Sequence, residues 1–164
     1  MVCRGEATFQ LGEIFYWGED NVEKDLPTAI HWYTEASKYV GQTEAFHILG
    51  NCYYFGEGVQ QNYEKAVENY MKAGDDHAEA PWRLGLCYKE GTGVLLNEQK
   101  AFDCFLNASE NADPSVMAQF ELAQCFHYGI GTEQDIEKAK FWYRKAADEQ
   151  HLYALEILND FDED

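Results

Sequence analysis

The sequence predicts an all-α protein: an α/α superhelical solenoid of four helix pairs plus a C-terminal capping helix, one domain over residues 1–164. Three observations predict it. The pair Leu11-Gly12 recurs as Leu49-Gly50, Leu84-Gly85 and Leu122-Ala123, at intervals of 38, 35 and 38 residues. An alanine stands four residues before each leucine: Ala7, Ala45, Ala80 and Ala118. An aromatic stands four after it: Phe15, Tyr53, Tyr88 and Phe126. Positions i, i+4 and i+8 share one helix face, so each segment is an amphipathic helix, A, of a stacked repeat.

Helix A stops at glycine in every copy, Gly18, Gly56, Gly91 and Gly129, where a left-handed residue ends a helix. A second glycine follows two residues on in three copies (Gly58, Gly93, Gly131), and Asp20 replaces it in the first. Asp25, Asn62, Asn97 and Asp135 then suit the N-cap of a second helix, B, where a side-chain oxygen accepts from free backbone N–H groups. Pro27 fits just inside the first B helix. Each B helix carries an alanine (Ala29, Ala66, Ala101, Ala139) and an aromatic four residues on (Tyr33, Tyr70, Phe105, Tyr143). A small pair closes it, beginning at Ala36, Ala73, Ala108 and Ala146. Small residues let helices approach, and the aromatics fill the space between them. The repeats so defined span about 5–40, 41–75, 76–111 and 112–149. Tyr153-Ala154-Leu155-Glu156-Ile157-Leu158 restarts the A pattern as a capping helix over about 151–160, and the acidic run to Asp164 is expected to fray.

Thirty acidic residues against twelve basic ones give a net charge of −18. That disfavours nucleic acid and anionic membrane as partners and favours basic proteins; solubility alone would also account for it. No apolar run approaches the roughly 20 residues of a membrane span. The first residues lack the charged and apolar blocks of a signal peptide, so the chain as written reads as cytoplasmic; a mature form that had lost its leader would read the same.

The string Leu49-Gly50-Asn51-Cys52-Tyr53-Tyr54-Phe55-Gly56-Glu57-Gly58-Val59, followed by Asn62-Tyr63-Glu64-Lys65-Ala66, resembles the Sel-1-like repeat, a relative of the tetratricopeptide repeat. Gly129-Ile130-Gly131 with the stretch from Asp135 to Ala147 is as similar, and the likeness covers nearly the whole chain. It implies an adaptor, as in membrane-protein quality control, enzyme activation or bacterial encounters with hosts and competitors. One secreted branch of that family is cysteine-rich, with bridges inside each repeat. Here Cys52, Cys87 and Cys125 share one repeat position, too far apart in stacked helices to bridge, and read as small buried hydrophobes. Cys87 with Cys104 is the one pairing left open.

No constellation for catalysis, a cofactor or a metal is evident. The GxG elements lie between helices with no strand before them and no GK[ST], so they are turns. Among His31, His47, His77, His127 and His151 there is no HExxH, and Cys125 and His127 point to different faces of their helix. The expectation is a non-enzyme.

The resemblance implies that A helices line a concave groove. The A positions off the core face are Phe9, His47, Trp82 and Phe120; Glu13, Asn51, Leu86 and Gln124; and Tyr16, Tyr54, Lys89 and His127. They vary among copies while the core holds, as a surface reading an irregular partner would, and as an unconstrained surface also would. The expected occupant is a protein or peptide of basic character, held by aromatic contact area and the acidic surround. A dedicated inhibitor, such as an immunity protein neutralising a basic toxin or nuclease, is the alternative role.

Overall fold

The computed structural model describes residues 2–19, 21–39, 41, 43–75, 77, 79–112 and 114–163, with backbone alone at 2, 3, 162 and 163. Asp20, in the first turn, the side chain of Cys3 and Asp164 lie outside the described residues. Among those described there are nine helices and no strand: α1 (Val2–Trp17), α2 (Leu26–Ala36), α3 (Thr43–Phe55), α4 (Tyr63–Ala73), α5 (Ala80–Glu90), α6 (Glu98–Glu110), α7 (Val116–Tyr128), α8 (Ile136–Asp148) and α9 (Leu152–Glu163). None of them is long and apolar enough to cross a membrane.

The chain divides into two compact units, Met1–His77 and Ala78–Asp164. In the first, α1 packs on α2, α2 on α3 and α3 on α4. In the second, each helix from α5 to α9 packs on the next.

The A-to-B turn is built alike in all four copies. One A-helix carbonyl, three residues after the repeat leucine, accepts two backbone N–H groups: Ile14 from Gly18 and Glu19, Cys52 from Gly56 and Glu57, Cys87 from Gly91 and Thr92, Cys125 from Gly129 and Ile130. Such pairs satisfy the open carbonyls of a helix end. The B helix then opens on its cap. Asp25, Asn62, Asn97 and Asp135 accept from the N–H groups of Thr28, Lys65, Lys100 and Lys138 at 3.2, 2.8, 2.9 and 3.0 Å. Their own N–H groups donate back to the carbonyls of Phe15, Tyr53, Tyr88 and Phe126. The A aromatic and the B cap are therefore tied, which fixes where B starts.

Helices A and B meet where a glycine faces a ring. A methyl group on Gly12, Gly50 or Gly85 would come within 2.5–2.6 Å of Tyr33, Tyr70 or Phe105. Those rings and Tyr143 are at most 1% exposed and form the core with the repeat alanines. Cys52, Cys87 and Cys125 are buried beside them, and burial pushes their thiols up to about 12, 11 and 12. No bridge joins Cys87, a free thiol, to Cys104.

Two expectations are corrected. Ala7, on the repeat's core face, is exposed, unlike Ala45, Ala80 and Ala118. The capping helix runs past residue 160: α9 extends through Glu163, with the Phe161 ring 5.0 Å from that of His127 and beneath the Lys140 ammonium.

Candidate functional site

In the first unit, two of the sequence-selected positions answer an internal need. Glu13 accepts from the Tyr33 hydroxyl at 2.5 Å, and Asn51 Oδ1 accepts from the Tyr70 hydroxyl at 2.9 Å. A buried hydroxyl requires a partner, and the A helix supplies it two residues after its leucine. The third copy has Phe105 on B, which has no hydroxyl, and Leu86 at the matching A position packs on the core. In the fourth copy Tyr143 lies 3.3 Å from His127 Nδ1, and Gln124 stays half-buried.

Glu13, Tyr16 and Asn51 come together with Trp17, Tyr33, Glu44 and Ile48 around a cleft of about 270 Å³. Tyr16 donates to Glu57 Oε2 at 2.6 Å, and the Trp17 ring packs edge-on against it at 4.9 Å. Burial first, then the Glu57 and Glu13 carboxylates, hold the Tyr16 and Tyr33 phenols above their ordinary range, so both stay protonated donors. Trp17 is 61% exposed and forms an aromatic wall beside two carboxylates.

At the Glu44 edge of the cleft lies a second cluster. Glu44 Oε2 is 2.9 Å from His77 Nε2 and Glu44 Oε1 is 3.5 Å from His47 Nδ1. The two imidazole centroids are 4.3 Å apart. His47 Nε2 faces Asn51 Nδ2 at 3.2 Å, which links the cluster to Tyr70. Hydrogen bonds from His47 and His77 hold the Glu44 carboxyl well below its usual range. One ligand atom from each of these residues lies within 4.8 Å of the others, a set that could hold a metal ion. This amends the expectation of no metal ligand set.

The remaining selected residues are dispersed. Phe9 packs on Tyr33 with ring centroids 5.5 Å apart. Tyr54 packs between Phe55 and Tyr63. In the second unit Trp82 is 8% exposed and belongs to the core, so it offers no contact surface. Lys89 is paired with Glu121 at 2.7 Å. Phe120 stacks on His151 at 4.3 Å, and His127 packs on Tyr128 and Phe161; burial lowers the basicity of both histidines.

Sequence reasoning missed the last residue of helix A. Trp17, Phe55 and Tyr128 occupy that position and are 61%, 51% and 62% exposed. The signal was an aromatic beside the helix-ending glycine in three of four copies. It also missed the Glu44 cluster, whose signal was a Glu-x-x-His spacing on one helix face.

The sequence pattern of the Sel1 repeat matches residues 5–38, 44–76, 78–113 and 116–151. The chain is 25% identical over 152 residues to the chitin synthase regulator SKT5 of Saccharomyces cerevisiae, covering 93% of this chain and 17% of that protein. Two solved structures superpose closely. One is c5321, a protective antigen of uropathogenic Escherichia coli strains displaying an SLR fold: TM-score 0.85, 32% identity, 92% of this chain and 32% of that one. The other is a Sel1 repeat protein from Oxalobacter formigenes: TM-score 0.86, 28% identity, 95% of this chain and 63% of that one. The chain thus spans less than two thirds of the length of each of these relatives.

Proposed function

The chain belongs to the Sel1 repeat family, and from that premise we propose that it is a non-catalytic binding module that holds a basic segment of a partner protein at the cleft of its first unit. Sel1 repeat proteins are generally protein–protein interaction modules, typically non-enzymatic scaffolds. One observation carries the finer reading: the Glu13 and Glu44 carboxylates border a cleft walled by the exposed indole of Trp17 and the ring of Tyr16. A lysine or arginine side chain suits that arrangement. Its cation finds the face of an indole and two carboxylates, and its methylene stem covers apolar surface. The net charge of −18 adds steering toward a basic partner.

The likeness to a chitin synthase regulator favours one second reading, in which the bound partner is an enzyme whose activity the chain changes. Both readings use the same surface.

The test is fluorescence anisotropy with lysine- and arginine-bearing peptides against acidic peptides of equal length, at low and high salt. Basic peptides should bind, and more weakly as salt rises. Trp17→Ala should cost roughly tenfold in affinity, the worth of one partly desolvated cation–π contact, with little change in Tm. Equal binding of acidic and basic peptides, or full affinity in Trp17→Ala, would remove the cleft from the proposal.

A further inference from the structure

We propose that Glu44, His47 and His77 form a binding site for a divalent transition-metal ion of the zinc(II) class. Three observations carry it. First, the donor set is two imidazoles and one carboxylate, the borderline-soft mixture that zinc takes with three protein ligands and an open fourth position. Second, the geometry is close to the required one. Ligand atoms around a four-coordinate zinc, with bonds of about 2.0–2.2 Å, stand roughly 3.3–3.6 Å apart. Here His47 Nδ1 is 3.5 Å from Glu44 Oε1 and His77 Nε2 is 2.9 Å from Glu44 Oε2, and one ligand atom from each residue lies within 4.8 Å of the others. Third, the rings are sheltered while the carboxylate reaches solvent: the side chains of His77 and His47 are 9% and 12% exposed, that of Glu44 is 54% exposed. The ion therefore has a way in, and a protein-built floor beneath it.

The two imidazole centroids stand 4.3 Å apart, so one ion can reach both rings. A single divalent cation takes a lone pair from both rings and the charge of the Glu44 carboxylate.

Asn51 supplies the positioning partner that a metal-bound imidazole requires. It bridges His47 Nε2 at 3.2 Å and the Tyr70 hydroxyl at 2.9 Å. With its Nδ2 toward the ring, Asn51 donates to Nε2, and the ring proton sits on Nδ1, pointing at Glu44. Turning the amide over lets Oδ1 accept from Nε2–H and Nδ2 donate to the tyrosine oxygen, which frees the Nδ1 lone pair for the metal. The Tyr70 hydroxyl is compatible with both states because it donates and accepts equally well. The amide of Asn51 thus sets which nitrogen of His47 carries the proton.

The experiment is isothermal titration of the chelator-treated full chain with zinc chloride, repeated in His77→Gln and Glu44→Gln. Both replacements stay polar, and Tm in the absence of zinc checks that each variant is folded. Titrations with magnesium and calcium run beside them. One zinc per chain is expected, with affinity falling about tenfold or more in each variant and with little response to magnesium. Cobalt(II) should give the visible absorption of a four- or five-coordinate ion, without a thiolate charge-transfer band. Zinc binding of undiminished affinity in both variants, equal binding of magnesium and calcium, or a thiolate band would overturn the assignment, placing the ion on the acidic surface or on a cysteine. So would no binding at all. None of these measurements involves a peptide, so each proposal has its own readout, although Glu44 borders both sites and serves one cation at a time.

Discussion

Gly131 is the position at which a single methyl group should do most harm. Its φ is +66°, and a Cβ there would lie 2.1 Å from the carbonyl oxygen of Glu98, 2.6 Å from its carbon and 3.0 Å from Gln99 N. All three are backbone atoms in the first turn of α6, so no rotamer change relieves the contact. Gly129, two residues earlier, has φ +71°, but its nearest neighbour would be at 3.4 Å, ordinary contact. The two positions share one cost and differ in the other. A left-handed alanine costs about 1–2 kcal/mol at either site. Gly131→Ala must also push the start of α6 away by about 1 Å, adding roughly 1–3 kcal/mol of overpacking. It also strains the Asn97 cap, 2.9 Å from Lys100 N, whose loss would add about 1 kcal/mol. The expected losses are therefore about 1–2 kcal/mol for Gly129→Ala and about 3–6 kcal/mol for Gly131→Ala. For a chain of this length these correspond to falls in Tm of roughly 3–6 °C and 9–18 °C. Calorimetry with urea melts measures both, and hydrogen exchange at Ala101 and Phe102 locates the damage. Equal losses in the two variants would mean that the left-handed backbone alone matters and that the turn does not press on α6.

Two further outcomes follow from the internal hydrogen bonds. Tyr33→Phe and Glu13→Leu should each destabilise by about 1–3 kcal/mol, whereas the double variant, which copies the Phe105–Leu86 arrangement of the third repeat, should lose at least 1 kcal/mol less than the sum; strict additivity in chemical denaturation would show that the 2.5 Å contact carries no coupling. Acid should loosen α9 first. Burial lowers the pKa of His127 and His151 below the usual 6.5, so the folded state favours their neutral forms: their contribution is whole above pH 6.5 and is lost as pH falls through and below that value, until the folded forms protonate too. Since His127 packs on Phe161 and His151 Nδ1 accepts the Ala154 N–H at 3.3 Å, exchange at α9 amides, corrected for intrinsic rate, should quicken below pH 6.5 before that of α7 or α8; protection that rises on acidification would contradict it.

The helix ends and the core could be read from the sequence because each depends on residues close together in the chain. A glycine stops helix A, an aspartate or asparagine caps helix B, and both acts are complete within a turn. The end of α9 was harder. The acidic composition of residues 160–164 argues for a helix that stops at 160, but Phe161, partly buried, packs on His127, more than thirty residues earlier, a contact that no local reading of the composition contains. Ala7 failed in the opposite direction: its place in the pattern matches Ala45, but matching residues need not have matching neighbours, and it is exposed.

Variation among copies proved ambiguous as a guide to the site. Glu13, Asn51 and Leu86 differ, which suits a surface reading an irregular partner. Yet their polarity follows the B aromatic that each one faces: Glu13 and Asn51 meet the hydroxyls of Tyr33 and Tyr70, while Leu86 belongs to the pair whose B ring is Phe105. Trp82 varies at its position too, and it is buried. Variation in a repeat thus has two sources, partners outside and partners within, and the second can be removed by asking whether a change on helix A is answered by a change on helix B. Applied to this chain, that filter accounts for Glu13, Asn51 and Leu86 as internal choices. It does not address the aromatics that end helix A, Trp17, Phe55 and Tyr128, each more than half exposed. Exposed rings at a recurring position, beside a cleft with two carboxylates in the first unit, are the feature that internal packing does not require. That is why Trp17, rather than Trp82 or Tyr54, is the residue on which the binding proposal is tested.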